Sequence, residues 1–166
     1  MTSAGAARID LAGGDTRIAT GVVVLDHLLQ ELGEAGGFGL RLEIAPDDPE
    51  TEVAGAGKAL GEALAPLVEG DGAGRGFGLV SADEALAMVV VEASGRPLVV
   101  SNADLTSTRA GGLRADIAAT FLDELANAAG LTIHVRLLEG EDSQHVLSAI
   151  FKALGIALAQ ATKGGG

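Results

Sequence analysis

Residues 58–65 read Lys-Ala-Leu-Gly-Glu-Ala-Leu-Ala and residues 152–159 read Lys-Ala-Leu-Gly-Ile-Ala-Leu-Ala, so seven of the eight positions are identical. Upstream, the run from Leu32 to Phe38 before one predicted strand lines up with the run from Leu125 to Leu131 before another. Echoes in the same order at a nearly constant offset imply a duplicated unit, which restricts the fold to two copies of one arrangement. A site in either copy then says what the other should contain. The length of 166 residues suits two such halves, 1–70 and 71–166, sharing one core in a compact globular protein.

The first half reads as a short hairpin, Arg8 to Leu11 and Thr16 to Ala19, around Gly13-Gly14-Asp15. A helix follows with Leu25, Leu28, Leu29 and Leu32 at helical spacing, closed by Gly36-Gly37. Phe38, Leu40, Leu42 and Ile44 alternate as a half-buried strand. Asp48-Pro49-Glu50 then opens a helix to about Val68, with an Asp cap, Pro at the first helical position and acids in the first turn. The glycine-rich run 69–76 reads as a flexible joint. In the second half, strands near Ala85 to Ala93 and Pro97 to Asn102 precede a helix from about Leu113 to Ala129, a strand from Leu131 to Leu137 and a last helix. Each half is thus β-β-α-β-α, and segregated helices on largely antiparallel sheets give an α+β class, with helices packed between two sheets. The last helix carries apolar residues well round its surface, including Ala149, Ala153 and Ile156, which reads as a contact between copies.

Charge and residue usage exclude several functions. With 11 basic and 23 acidic residues the net charge is −12, which repels nucleic acid and anionic membranes. No Cys is present, so thiolate metal sites and thiol nucleophiles are excluded, in keeping with a cytoplasmic protein. Four Phe and no Trp or Tyr leave no platform for stacking bases. No run is expected to span a membrane, and the N-terminus lacks the apolar core of a signal peptide.

Thr20-Gly21 followed by Leu25-Asp26-His27-Leu28-Leu29 and Gly36-Gly37-Phe38 resembles the imidazoleglycerol-phosphate dehydratase family of histidine biosynthesis. So do Asp83-Glu84-Ala85-Leu86-Ala87, Ser94-Gly95-Arg96-Pro97, the run from Ala129 to Leu138, Gly140-Glu141 and Phe151-Lys152-Ala153-Leu154. The resemblance implies a duplicated fold of the ribosomal protein S5 domain 2-like type, trimers, and a manganese-bound cage of trimers. It further implies a His-His-x-x-Glu motif at the start of the last helix of each half, where imidazole and carboxylate groups converge on one ion. Here those positions read Glu50-Thr51-Glu52-Val53-Ala54 and Gln144-His145-Val146-Leu147-Ser148. Of the metal ligands implied, His27, His134 and His145 remain, a set better suited to residual zinc or nickel than to manganese. The segment ahead of Ala6 is expected to be shortened. Arg96 and Lys163 are the residual substrate-binding residues the resemblance implies, together with Arg75, which stands one place ahead of the position implied for a contact to substrate phosphate.

Each of these residues also has a plainer reading. His27 suits a polar helix flank, His134 a strand surface and Arg96 a turn pairing with nearby acids; Lys163 sits among terminal glycines. Asp83-Glu84 resembles a proton-transfer pair, but the family resemblance implies a largely structural role for it. The expectation is a family member that has lost most of its manganese ligands, is catalytically inactive, needs no cofactor and acts as a homotrimeric structural subunit. The alternatives are a divergent working lyase, or a binder of small imidazole or phosphate ligands through Arg96, Lys163 and the three His.

Overall fold

The computed structural model describes residues 5–68, 74–103 and 117–162. The first half comprises β1 (Gly5–Asp10), β2 (Arg17–Ala19), α1 (Val23–Gly36), β3 (Gly39–Ile44) and α2 (Pro49–Val68). The second comprises β4 (Arg75–Ala82), β5 (Ala85–Glu92), β6 (Leu98–Ser101), α3 (Ile117–Ala129), β7 (Thr132–Glu139) and α4 (Ser143–Thr162). One sheet has the order β1-β3-β2 and the other β4-β5-β7-β6. The fold is α+β, as the alternation of elements implied.

Register makes the duplication concrete. In each sheet a central strand, β3 or β7, has an antiparallel neighbour on one side and a parallel neighbour on the other. Leu42 of β3 pairs with Ala7 and Ile18, while Val135 of β7 pairs with Val89 and Ser101. The sheets are therefore mixed rather than largely antiparallel. Nor do β1 and β2 form the expected hairpin: β3 lies between them, so Gly13-Gly14-Asp15 belongs to a crossing between non-adjacent strands.

The glycine-rich joint is shorter than the run 69–76 expected from the sequence. The last residues of that run belong to β4, an additional edge strand along β5. Gly76 and Gly78 face inward, and a Cβ on either would collide with the carbonyl oxygens of Ala157 and Ala153 on α4. Phe77 and Leu79 face outward. Alternate glycines here let a strand press onto a helix, which in sequence looks the same as a linker.

Packing ties the halves together, since α1 lies against α4 and α2 against α3. The repeated Lys-Ala-Leu-Gly string supplies the contact points. A Cβ at Gly61 would stand 2.9 Å from the Leu125 carbonyl oxygen of α3, and one at Gly155 would collide with that of Leu32 on α1. Gly61 and Gly155, like Leu32 and Leu125, are counterparts in the repeat, so the same backbone approach occurs twice. Near the centre, Phe121 of α3 and Phe151 of α4, both fully buried, lie with ring centroids 5.3 Å apart.

This packing overturns the reading of α4 as a surface with apolar area to spare. Ala149 and Ala153 are completely buried within the chain, against the four-stranded sheet and the other helices. The apolar residues surround α4 because it is the central core helix. By length and composition α4 also reaches what a membrane span requires, contrary to expectation, yet most of it is buried inside the protein.

Candidate functional site

The starts of α1 and α4 enclose a cavity of about 330 Å³, lined on its polar side by His27, Glu31, Gln144, His145 and Ser148 and on its apolar side by Val24, Leu28 and Leu147. A larger cavity, about 720 Å³, opens on the three-stranded sheet beside Asp10, Asp15 and Arg41 but contains no histidine. The smaller one gathers the chemistry. Local sequence builds its α1 wall: Thr20 donates through both its N–H and its hydroxyl to Asp26 Oδ1, fixing the turn that leads into the helix.

His145 sits in the first turn of α4 among carboxylates. Its Nδ1 lies 2.6 Å from Glu84 Oε2, its Nε2 3.2 Å from Asp83 Oδ2, and Asp142 Oδ1 is 4.0 Å from Nδ1. Asp142 Oδ1 also accepts the Gln144 and His145 N–H groups at 2.9 and 3.2 Å, capping the helix. Glu84 Oε1 accepts the Asp142 N–H at 3.0 Å and the Glu141 N–H at 3.4 Å. These backbone donors, first that of Asp142, together with the His145 ring, lower the Glu84 pKa to about 2. The hydrogen bond to Glu84 raises the pKa of His145, and the surrounding acids add to the effect. Asp83-Glu84 is therefore a clamp between the β4–β5 turn and the start of α4, in line with its structural reading.

Glu31 is the residue that sequence reasoning missed. Its side chain is only 15% exposed and crosses from α1 to α4. Its Oε2 accepts the Ser148 hydroxyl at 2.7 Å and lies 3.4 Å from Lys152 Nζ. Its Oε1 is buried with no hydrogen-bond partner among the described residues, 3.7 Å from His27 Nε2. The only signal in the sequence was the four-residue spacing from His27, which places both on one helix face.

The corresponding region of the first half is occupied by capping. Thr51 donates its N–H and its hydroxyl to the Asp48 carboxylate at 2.9 and 3.0 Å, holding the Asp48 pKa below its ordinary value. Glu50 is exposed. Glu52 is buried, accepts the Asp47 N–H at 3.2 Å and lies against Gly21, where a Cβ would strike its carboxylate.

The remaining candidates are dispersed. His134 is exposed on β7, between the buried Ile133 and Val135, so it faces away from the helices and does not join His27 and His145. Arg75 pairs with Glu92 at 3.3 Å across β4 and β5. Arg96 lies in a turn held by Ser94 and Thr132, and its guanidinium pairs with no acid among the described residues. Lys163 and the start of the helix expected from Leu113 lie outside the described residues. Among the described residues no group of three or more His, Asp or Glu side chains is arranged to hold a metal ion.

Comparison with known proteins is unambiguous about ancestry. The family pattern described as imidazoleglycerol-phosphate dehydratase matches residues 20–158. The chain is 39% identical over 155 residues to the imidazoleglycerol-phosphate dehydratase of Pelobacter propionicus, covering 90% of this chain and 80% of that one. It is 40% identical over 164 residues to that of Prochlorococcus marinus, covering 94% and 78%. Among solved structures, imidazoleglycerol-phosphate dehydratase from Staphylococcus aureus superposes with a TM-score of 0.84 at 30% identity, covering 94% of this chain and 91% of the other.

Proposed function

Because this chain belongs to the imidazoleglycerol-phosphate dehydratase family, we propose that it is a homologue that does not carry out manganese-dependent dehydration and serves as a homotrimeric structural subunit, whether a natural paralogue or a remodelled scaffold. The family implies manganese, and the donor set offered here does not fit it. Both ring nitrogens of His145 already lie within hydrogen-bond distance of carboxylates, so a metal could reach either nitrogen only by displacing Asp83 or Glu84 from it. That observation carries the reading. It is supported by Ser148, whose hydroxyl is committed to Glu31, and by Thr51, committed to the cap of α2. Gln144 and Ser148 are neutral donors where manganese favours carboxylate.

A trimer keeps its rationale from the family, but not from α4. One surface that suits it among the described residues is the outer face of the four-stranded sheet, where Phe77, Leu79, Leu98 and Val100 are all more than 40% exposed. Three chains of 16.5 kDa give a particle of about 50 kDa, and an assembly held by side-chain packing should ignore chelator. Light scattering with and without EDTA tests this. A cage that dissociates with EDTA would show that metal still joins the subunits, and a monomer would remove the structural role.

The second reading is a divergent working lyase. It is favoured by the convergence of His27 and His145 on one cavity and by the Arg96 guanidinium, which has no acidic partner among the described residues. Growth without histidine of a dehydratase-deficient strain carrying this chain would establish that reading.

A further inference from the structure

The outer face of the three-stranded sheet carries a feature that neither the fold nor the proposed function uses. In the ladder, Arg8 of β1 and Arg17 of β2 are both direct partners of Arg41 on β3. Three arginines therefore stand side by side across three adjacent strands, with backbones about 4.8 Å apart. All three are exposed on the same face and line one shallow cavity of about 290 Å³. Among the described residues none of their guanidinium groups forms an ion pair or hydrogen bond, although the chain has 23 acids against 11 basic residues. Glu43 lines the same cavity from the next row but pairs with none of them.

Like charges directly opposite one another on adjacent strands are unfavourable. The fold does not demand them. At the matching positions of the other sheet, β7 carries His134 between Val90 and Val100, so the same row there is mostly apolar. Three guanidinium forks converging on one cavity offer many N–H donors and three positive charges, an arrangement suited to phosphate oxygens. A single carboxylate would leave most of that charge uncompensated, whereas two linked phosphates would offset it. A long polyanion is disfavoured, because the remaining surface of a chain with net charge −12 repels it.

We infer that Arg8, Arg41 and Arg17 form a binding site for a small diphosphate-bearing molecule on the outer face of the three-stranded sheet. The inference does not depend on whether the family reaction is retained. Isothermal titration of the full chain with inorganic pyrophosphate at constant ionic strength tests it. One saturable site is expected, weakened about tenfold or more by Arg41→Gln and less by Arg8→Gln or Arg17→Gln. Thermal melting supplies an independent measure: without anion, Arg41→Gln should melt at or above the wild-type temperature because it relieves repulsion, and pyrophosphate should raise its melting temperature less than that of the wild type. No binding at millimolar pyrophosphate, or equal binding by Arg41→Gln, would overturn the proposal. Loss of binding in Arg96→Gln with retention in Arg41→Gln would place the anion at the turn before β6 and overturn it equally. If the arginine variants instead change oligomeric state without changing pyrophosphate affinity, the row is a contact between copies and the ligand site is refuted.

Discussion

The two helix crossings of this molecule share a backbone and differ in side-chain chemistry. At α1 against α4 and at α2 against α3, a glycine from the repeated string meets the carbonyl of a matched leucine, Gly155 with Leu32 and Gly61 with Leu125. Among the described residues only the first crossing has a polar bridge, Glu31 to Ser148 and Lys152. The counterparts of Glu31 and Lys152 at the second crossing, Glu124 and Lys58, form no ion pair with each other. Close packing tolerates little change in volume, so the glycines stay, whereas a partly exposed ion pair contributes little and can come and go. What the duplication fixes is the approach of the helices, and each half is then free to change the chemistry around it.

The largest expected effect tests the shared part. Gly155→Ala should destabilise the protein by about 2 kcal/mol despite the better helix propensity of Ala, because a carbonyl oxygen stands where the methyl must go. Gly61→Ala should behave alike, and urea unfolding of the two variants compares them. If either is neutral, the crossings are not equivalent.

Next comes the polar difference. Lys152→Ala leaves the largely buried Glu31 without its cation and should cost about 1 kcal/mol, while Lys58→Ala, at an exposed position, should fall within about 0.5 kcal/mol of wild type. Equal losses in the two would mean that the bridge contributes nothing beyond ordinary helix surface.

The smallest effect lies in the His145 clamp, which the first half lacks. Stability from Glu84 is fully present above its ordinary pKa of 4.5 and fades as pH falls towards about 2. Stability from His145 is fully present below its ordinary 6.5 and is lost as pH rises through its elevated pKa. The melting difference between wild type and His145→Gln should therefore be greatest between pH 4.5 and 6.5. A difference that keeps growing above that window would contradict the clamp.

Much of this was legible in the chain. Asp48 and Pro49 announced the start of α2, and Gly37, with φ 73°, ends α1 as its position suggested. The echo of Lys58 and Lys152 located two helices of equal length, each with its Lys as the tenth residue. Strand adjacency was not legible, since nearness of β1 and β2 in sequence says nothing about β3 inserting between them. Nor was β4, whose inward glycines lack the apolar alternation by which strands are recognised. At the site, the sequence singled out His27, His134 and His145 together, of which His27 and His145 line one cavity and His134 lies apart, while Glu31 looked like any charged helix residue until α4 was laid across it.

The central claim, that this family member does not perform the family's manganese chemistry, is tested most directly by turnover. Purified chain supplied with manganese and imidazoleglycerol phosphate should form no dehydrated product above the enzyme-free control. Product formation that EDTA abolishes and added manganese restores would contradict the account.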